Sequence, residues 1–282
     1  MFQSPLIVRF WGVRGSIPSP GPHTVRYGGN TPCVEIQAGG ERLIFDGGTG
    51  LRVLGEELLK HLPITAHVFF THTHWDHIQG FPFFQPAFIP GNCFYIYGVP
   101  GVDGHSIQQC LNDQMLHPNF PVPLQIMAGA LKFQDLGPGE VVKIADTIIT
   151  NQRLNHPGGG VGYRIEWHGQ VISYVTDTEH YPDKLDPAAL SLANQADVMI
   201  YDATYTDAEY YSPAQSKVGW GHSTWQEAVK LAQTARVKHL VLFHHDPTHD
   251  DEFLDEICQL ARQAFPNTTI AHEGLILSLG AS

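Results

Sequence analysis

"VFFTHTHWDHIQGF", Val68 to Phe81, is the stretch whose reading decides the fold. An apolar run ends in His72, His74, Asp76 and His77, so four residues able to bind a metal crowd into six positions. In extended chain, alternate side chains point the same way, and His72 and His74 can therefore reach one ion. Asp76 and His77 are adjacent and lie beyond a bend at Trp75, which aims them at a second ion nearby. Imidazoles and carboxylates without thiolates suit zinc, manganese or iron. A histidine cap on a strand would not by itself bring period-two spacing and a carboxylate.

A site for two ions needs more donors, and other strand ends supply candidates. His156 follows "ITNQRLN", Asp177 ends "VISYVTD" and His244 ends "HLVLF". The surrounding pattern is one of strands and helices. "LIVRFWGV" and "CVEIQAGGERLIFDGG" read as strands, the second a pair joined at Gly39-Gly40. "LRVLGEELLKHL" carries apolar residues at helical spacing. "ITAHVFFTH" and "CFYIYGV" are short buried strands. "VVKIADTIITNQRL", "VGYRIEWHGQVISYVTD" and "DVMIYDAT" are further strands, with a turn at His168-Gly169. "STWQEAVKLAQTAR" reads as a helix with Ser223 and Gln226 as its capping box. "HLVLFHHD" is a strand, "DDEFLDEICQLARQAF" a helix with Thr248 as N-cap, and "LILSLG" a closing strand. Two strand-rich blocks, each ending in helices, imply two packed sheets with helices outside, in one domain over residues 1–282. Between Phe81 and Pro138 the pattern is weak. "HPNFPVPL" excludes a helix interior or central strand, and the segment reads as a long loop on the core or a wall over the site.

Bulk properties narrow the function. The 282-residue chain has a formal net charge of −12 and no Lys/Arg cluster, which argues against a large nucleic-acid footprint. A small anionic substrate remains compatible, because bound metal ions can dominate the local field. Arg14, Arg26 and Asn30, in a Gly/Pro-rich stretch, are candidate phosphate or base contacts. No apolar run approaches the roughly 20 residues that span a bilayer, and the start lacks a signal-peptide pattern, so the expected location is the cytoplasm, without a membrane partner. Cys33, Cys93, Cys110 and Cys258 are far apart and read as reduced thiols. "DGGTGLR" and "PGGGVG" do not form G-x-G-x-x-G, which excludes the usual dinucleotide loop.

Together these motifs resemble the metallo-β-lactamase superfamily, in its ribonuclease Z and phosphodiesterase branch. T-H-x-H-x-D-H at 71–77, His156, "TDT" at 176–178 and His244 carry the likeness. "LIFDGGTGLR", with Asp46, is similar to that superfamily's first motif, where a buried aspartate braces the metal loop. "GHST" at 221–224 resembles the branch's histidine loop. The resemblance implies an α/β fold, an αββα sandwich of two mixed β-sheets with helices on the outer faces. It implies two divalent ions, zinc or manganese: His72, His74 and His156 on one, Asp76, His77 and His244 on the other, and Asp177 between them. His245 is the alternative to His244, with the L-x-H ending of "LFH" favouring His244.

The chemistry so implied is hydrolysis by a hydroxide bridging two ions, with Asp76 orienting it and His222 protonating the leaving alkoxide. Tyr174 stands where the tRNA-processing relatives have a glutamate that pairs with that histidine. Only 20 residues separate His156 from Asp177, too few for the protruding arm with which ribonuclease Z grips tRNA. The expectation is therefore a phosphodiesterase on a small phosphodiester such as a cyclic nucleotide, without a stable nucleic-acid complex, and compatible with a homodimer. The alternatives are a tRNA 3′-processing endonuclease and a lactonase or thioesterase on the same scaffold. A di-iron redox protein is disfavoured by His74, where that branch has a glutamate.

Overall fold

The computed structural model describes residues 5–102 and 104–280. The chain first forms β1 (Leu6–Gly12), β2 (Cys33–Ala38), β3 (Glu41–Phe45), α1 (Gly50–Leu58), β4 (Thr65–Phe69), α2 (Trp75–Ile78), β5 (Cys93–Gly98), α3 (Ile107–Asp113) and β6 (Ala130–Asp135). It continues through β7 (Val141–Ile144), β8 (Thr147–Leu154), β9 (Gly160–Trp167), β10 (Gln170–Val175), α4 (Pro187–Ala193), β11 (Val198–Asp202) and α5 (Asp207–Tyr210). The last elements are α6 (Trp225–Thr234), β12 (His239–Phe243), α7 (Asp251–Ala264), β13 (Thr268–Ile270) and β14 (Ile276–Leu279).

Two seven-stranded sheets result, in the orders β14-β1-β2-β3-β4-β5-β6 and β13-β12-β11-β10-β9-β8-β7. Each is mixed. β3 to β6 run parallel in the first sheet and β10 to β13 in the second, while the remaining pairs are antiparallel. Between the sheets lies a core in which Phe10, Phe45 and Phe69 meet Tyr163, Tyr174 and Phe243. Tyr163 buries its hydroxyl there by donating to the Phe70 carbonyl at 2.7 Å, which pins the second sheet to the start of the metal-motif loop. A second apolar layer holds α4, α6 and α7 on the outer face of the second sheet, and a third holds α1 and α3 on the first. This is the expected αββα sandwich.

Several local expectations needed correction. Residues 81–138 are not a bare loop: besides the expected strand β5 they contain α3 and the edge strand β6, which is short and nowhere fully buried. "VVKIADTIITNQRL" is a hairpin rather than one strand, turning at Ala145 with positive φ. Helix α6 is capped by Thr224, whose side chain accepts from Glu227 N–H, because Ser223 is engaged elsewhere. Helix α7 is capped by Asp250, not Thr248; the Thr248 hydroxyl donates to Asp246 instead.

Candidate metal centre

The parallel strands of both sheets end on the same side, and their last residues feed one cleft. Open α/β sheets bind ligands at such carboxyl ends. β3 delivers Asp46, β4 leads to His72 and His74, β10 to Asp177, β11 ends in Asp202, and β12 leads to His244. Three of these residues turn sharply. Asp46, Asp177 and His244 have φ of 62°, 52° and 63°, a left-handed backbone that non-glycine residues seldom adopt. The turn swings each side chain off its strand's alternation and into the cleft. Such strain gathers at functional sites.

Two groups of donors lie side by side. In the first, one donor atom each of His72, His74 and His156 falls within 4.8 Å of the others. In the second the same holds for Asp76, His77, Asp177 and His244, all buried. Asp177 sits between the groups: Oδ2 is 3.1 Å from His77 Nε2, while Oδ1 is 3.4 Å from His244 Nε2, 3.8 Å from His72 Nε2 and 4.0 Å from His156 Nε2. Thus all seven residues singled out as ligands converge. His244 faces the cleft, whereas His245 turns away and reaches the Ala271 carbonyl at 2.8 Å. The left-handed backbone at His244 sends the two adjacent histidines in opposite directions.

Outer partners set the tautomers. His77 Nδ1 is 2.9 Å from Asp46 Oδ2, and His156 Nδ1 donates to the Gly221 carbonyl at 2.8 Å. The Thr204 hydroxyl donates to Asp202 and so accepts from His244 Nδ1 at 3.0 Å. Thr71 relates Asp46 to His72 in the same way. Four imidazoles therefore spend Nδ1–H on the protein and turn an Nε2 lone pair toward a common space. Metal-binding histidines are held in this manner. Without a cation these lone pairs would crowd one another; His77 and His244 Nε2 are 3.4 Å apart. His72 Nε2 is buried with no hydrogen-bond partner, a vacancy of bonding that a metal ion would fill. The donor set is all nitrogen and oxygen, and it fits divalent ions.

The charges of the site are strongly coupled: against burial, Asp177, Asp76 and Asp46 hold the His77 imidazole well above its ordinary value. Burial pushes the Asp76 and Asp177 carboxyls up, but neighbouring imidazoles outweigh it and hold both well below the usual range. Burial, followed by adjacent imidazoles, lowers His72 and His74. His156 is lowered by burial against the pull of Asp177.

Asp46 braces the loop as the resemblance implied. It accepts from Thr71 N–H at 2.8 Å, from the Thr71 hydroxyl and from the Tyr174 hydroxyl at 2.9 Å. Tyr174, which departs from the family pattern, thus serves Asp46. His222 finds its carboxylate elsewhere: Nδ1 lies 2.9 Å from Asp202 Oδ2. Against burial, Asp202 pushes the His222 imidazole up to about 9. Asp202 was missed in the sequence, although its place at the end of "VMIYD" matches the strand-end signal that marked Asp177. Also missed was Glu179, which accepts from Gly219 N–H at 2.6 Å and Gly221 N–H at 3.0 Å and holds the His222 loop. Ser16 N–H, 2.7 Å from Asp76 Oδ2, is a third.

Arg14, Arg26 and Asn30 are not free phosphate ligands. Arg14 is buried and bonds the carbonyls of Gly28, Asp246 and His249. Arg26 pairs with Asp255 at 2.7 Å, and Asn30 binds Glu273. Each ties the N-terminal loop to the C-terminal part.

A family model described as "Beta-lactamase superfamily domain" matches residues 41–245. Ribonuclease Z of Gemmatimonas aurantiaca is 27% identical, over 98% of this chain and 96% of its own length. Ribonuclease Z of Brevibacillus brevis is 23% identical, over 95% of each. Among solved structures, the metallo-beta-lactamase fold protein YhfI from Bacillus subtilis superposes with a TM-score of 0.72 at 20% identity, covering 98% of this chain and 99% of that one. Human tRNase Z, short form, gives 0.67 at 21% identity, covering 97% and 99%. At such identities these structures show the shared fold.

The relatives overturn the expected partners. A small phosphodiester and no nucleic acid were inferred from the acidic chain and the short link between His156 and Asp177. That link is indeed only the β9–β10 hairpin. Yet the relatives aligned along the whole chain are ribonucleases. The physical error lies in the charge argument: net charge is a sum, whereas binding depends on the field at the mouth of the cleft. Among the described residues no helix is long and apolar enough to cross a membrane.

Proposed function

Because the chain belongs to the beta-lactamase superfamily and is a hydrolase of that fold, we propose that it is a metal-dependent endoribonuclease of the ribonuclease Z type, cutting a phosphodiester in precursor tRNA. The reading is carried by the convergence of seven nitrogen and oxygen donors and His222 on one cleft, in a chain that ribonuclease Z matches end to end. His72, His74 and His156 would hold one divalent ion, Asp76, His77 and His244 a second, and Asp177 would serve both. Zinc or manganese suits these donors. When bound, such ions supply Lewis acidity toward phosphoryl oxygens and a water-derived nucleophile near neutral pH.

The remaining work falls to the chain. Asp46, Thr71, Thr204 and the Gly221 carbonyl hold the imidazoles in the tautomer that leaves Nε2 free. Asp76, fixed by Ser16 N–H, offers a carboxylate beside the reacting centre. His222, with Nδ1 occupied by Asp202, keeps Nε2 as the atom that passes a proton to the leaving ribose oxygen. The test is incubation of metal-loaded protein with a precursor tRNA carrying a 3′ trailer, with product ends mapped. Cleavage at one phosphodiester, lost in Asp177→Ala, is expected. Intact RNA in the presence of fully loaded protein overturns the reading.

A further inference from the structure

The chain has five tryptophans, and three of them pack in or against the apolar layers: Trp11, Trp167 and Trp225. Trp75 and Trp220 do not. Their exposures are 73% and 51%, large for indoles that folding would ordinarily cover. Both stand beside the metal donors. Trp75 lies between His74 and Asp76. Trp220 precedes Gly221, whose carbonyl holds His156 Nδ1, and His156 Nε2 is 3.0 Å from His74 Nδ1. The start of α2 and the loop before α6, which carry the two indoles, thus meet near the His74–His156 contact.

A cation accompanies Trp220, and two more stand near His156 and Tyr181. Lys217 Nζ lies 4.0 Å from the Trp220 ring centroid and 5.7 Å from that of Tyr205, whose ring is 6.2 Å from His222. Arg153 shares with His156, Gly159 and Tyr181 a recess of about 610 Å³, and Lys184 Nζ sits 4.9 Å from the Tyr181 ring. An acidic chain therefore carries aromatic faces and basic heads on the segments next to the metal donors. Single-stranded nucleic acid is gripped by this pairing, bases on aromatic faces and backbone phosphates along cations.

We propose that Trp75 and Trp220 are stacking residues for the nucleobases that flank the scissile phosphate of a single-stranded RNA segment. The proposal rests on the ribonuclease reading above and adds its means of substrate binding. Any base has a π-face, so the grip tolerates sequence and favours unpaired nucleotides over a duplex.

Metal-loaded wild type, Trp75→Ala, Trp220→Ala and the two Trp→Phe variants are compared on precursor tRNA. Each alanine variant should raise KM roughly 5- to 100-fold, the range of one lost stacking contact, with kcat little changed and metal content intact. Phenylalanine should restore most of the loss. On a substrate with abasic riboses flanking the scissile phosphate, wild type should lose the same factor, so the difference between wild type and alanine variants disappears. Unchanged KM in both alanine variants, or equal losses on base-bearing and abasic RNA, overturns the proposal. Tryptophan quenching by a short oligoribonucleotide separates the two hypotheses. RNA that quenches wild type, but not the double alanine variant, and is never cut sinks the ribonuclease reading while stacking stands. RNA that is cut without quenching sinks stacking alone. RNA that does neither sinks both.

Discussion

Asp202 Oδ2 and His222 Nδ1 are 2.9 Å apart, and that bond joins the end of β11 to a loop 20 residues later. The same carboxylate accepts from the Thr204 hydroxyl, which in turn orders His244. If His222 protonates the leaving oxygen, its value depends on how badly the leaving group needs a proton. His222→Ala should cost about 10²–10⁴-fold on RNA, whose ribose alkoxide is a poor leaving group, and far less on an activated aryl phosphodiester. Asp202→Asn should follow the same dependence with a smaller loss. Parallel kinetics and elemental analysis check this. Equal losses on both substrates would mean that His222 only positions its loop. Lost metal would place Asp202 and His222 among the ligands, as their proximity to His244 also allows.

Asp177 is the carboxylate nearest to both donor groups. Asp177→Ala should lower metal content from two ions per chain and abolish turnover, while the protein keeps its circular dichroism. Two ions retained in the variant would remove Asp177 from the centre.

Chelation should destabilise the protein without unfolding it. Ions held at 100 to 1,000 times their dissociation constants stabilise a fold by about 2.7–4.1 kcal/mol each. Removing them leaves His72 Nε2 buried without a partner. A fall of several degrees in Tm, reversed by zinc or manganese, is expected; a Tm indifferent to chelator would argue that no ion is bound.

Asp46 takes four hydrogen bonds in a buried site, from Thr71 N–H, the Thr71 hydroxyl, Tyr174 and His77. Asp46→Ala strands these donors, and each stranded buried group costs about 1–3 kcal/mol. Denaturant titration should show a loss of at least 2 kcal/mol on that scale. Asp46→Asn tolerates the left-handed backbone and keeps the shape. Its effect should appear mainly as metal affinity weaker by about 10–100-fold, through the freed His77.

Gly221 has φ of 86°, and a Cβ there would lie 2.3 Å from Pro157 Cδ and 2.5 Å from His156 Nδ1. Gly221→Ala should therefore cost about 1–2 kcal/mol from the backbone alone and displace His156 as well. Reduced thermal stability together with weakened metal binding is the expected pair. Normal affinity in a normally folded variant would show that the His156 contact is dispensable.

Much of the site was legible because its signals are local. Alternation in an extended chain separates His72 and His74 from Asp76 and His77, and apolar strands that stop at His156, Asp177 and His244 announce residues at a sheet edge. Those features depend on backbone geometry over a few residues. The sandwich was legible for the same reason, since strands and helices alternate in two similar blocks. The caps of α6 and α7 were less so. Ser, Thr and Asp crowd both starts, and the choice falls to whichever is not already bonded, as Ser223 is to Asp202 and His180.

The amino-acid sequence by itself determined the donor types, their order and the two-sheet fold. Tertiary structure alone decided the pairings. Asp202 meets His222 because β11 lies parallel between β10 and β12, with Asp202 in register with Phe243 just before His244. A positive φ at His244, set by the surrounding packing, chose it over His245. Arg14, Arg26 and Asn30 became structural ties because the N-terminal loop folds against the 246–249 turn, α7 and Glu273. The segments that carry Trp75 and Trp220 came together through the His74–His156 contact. A hydrogen bond or contact between residues distant in sequence is a property of how strands and loops come to lie side by side, and no local period encodes it.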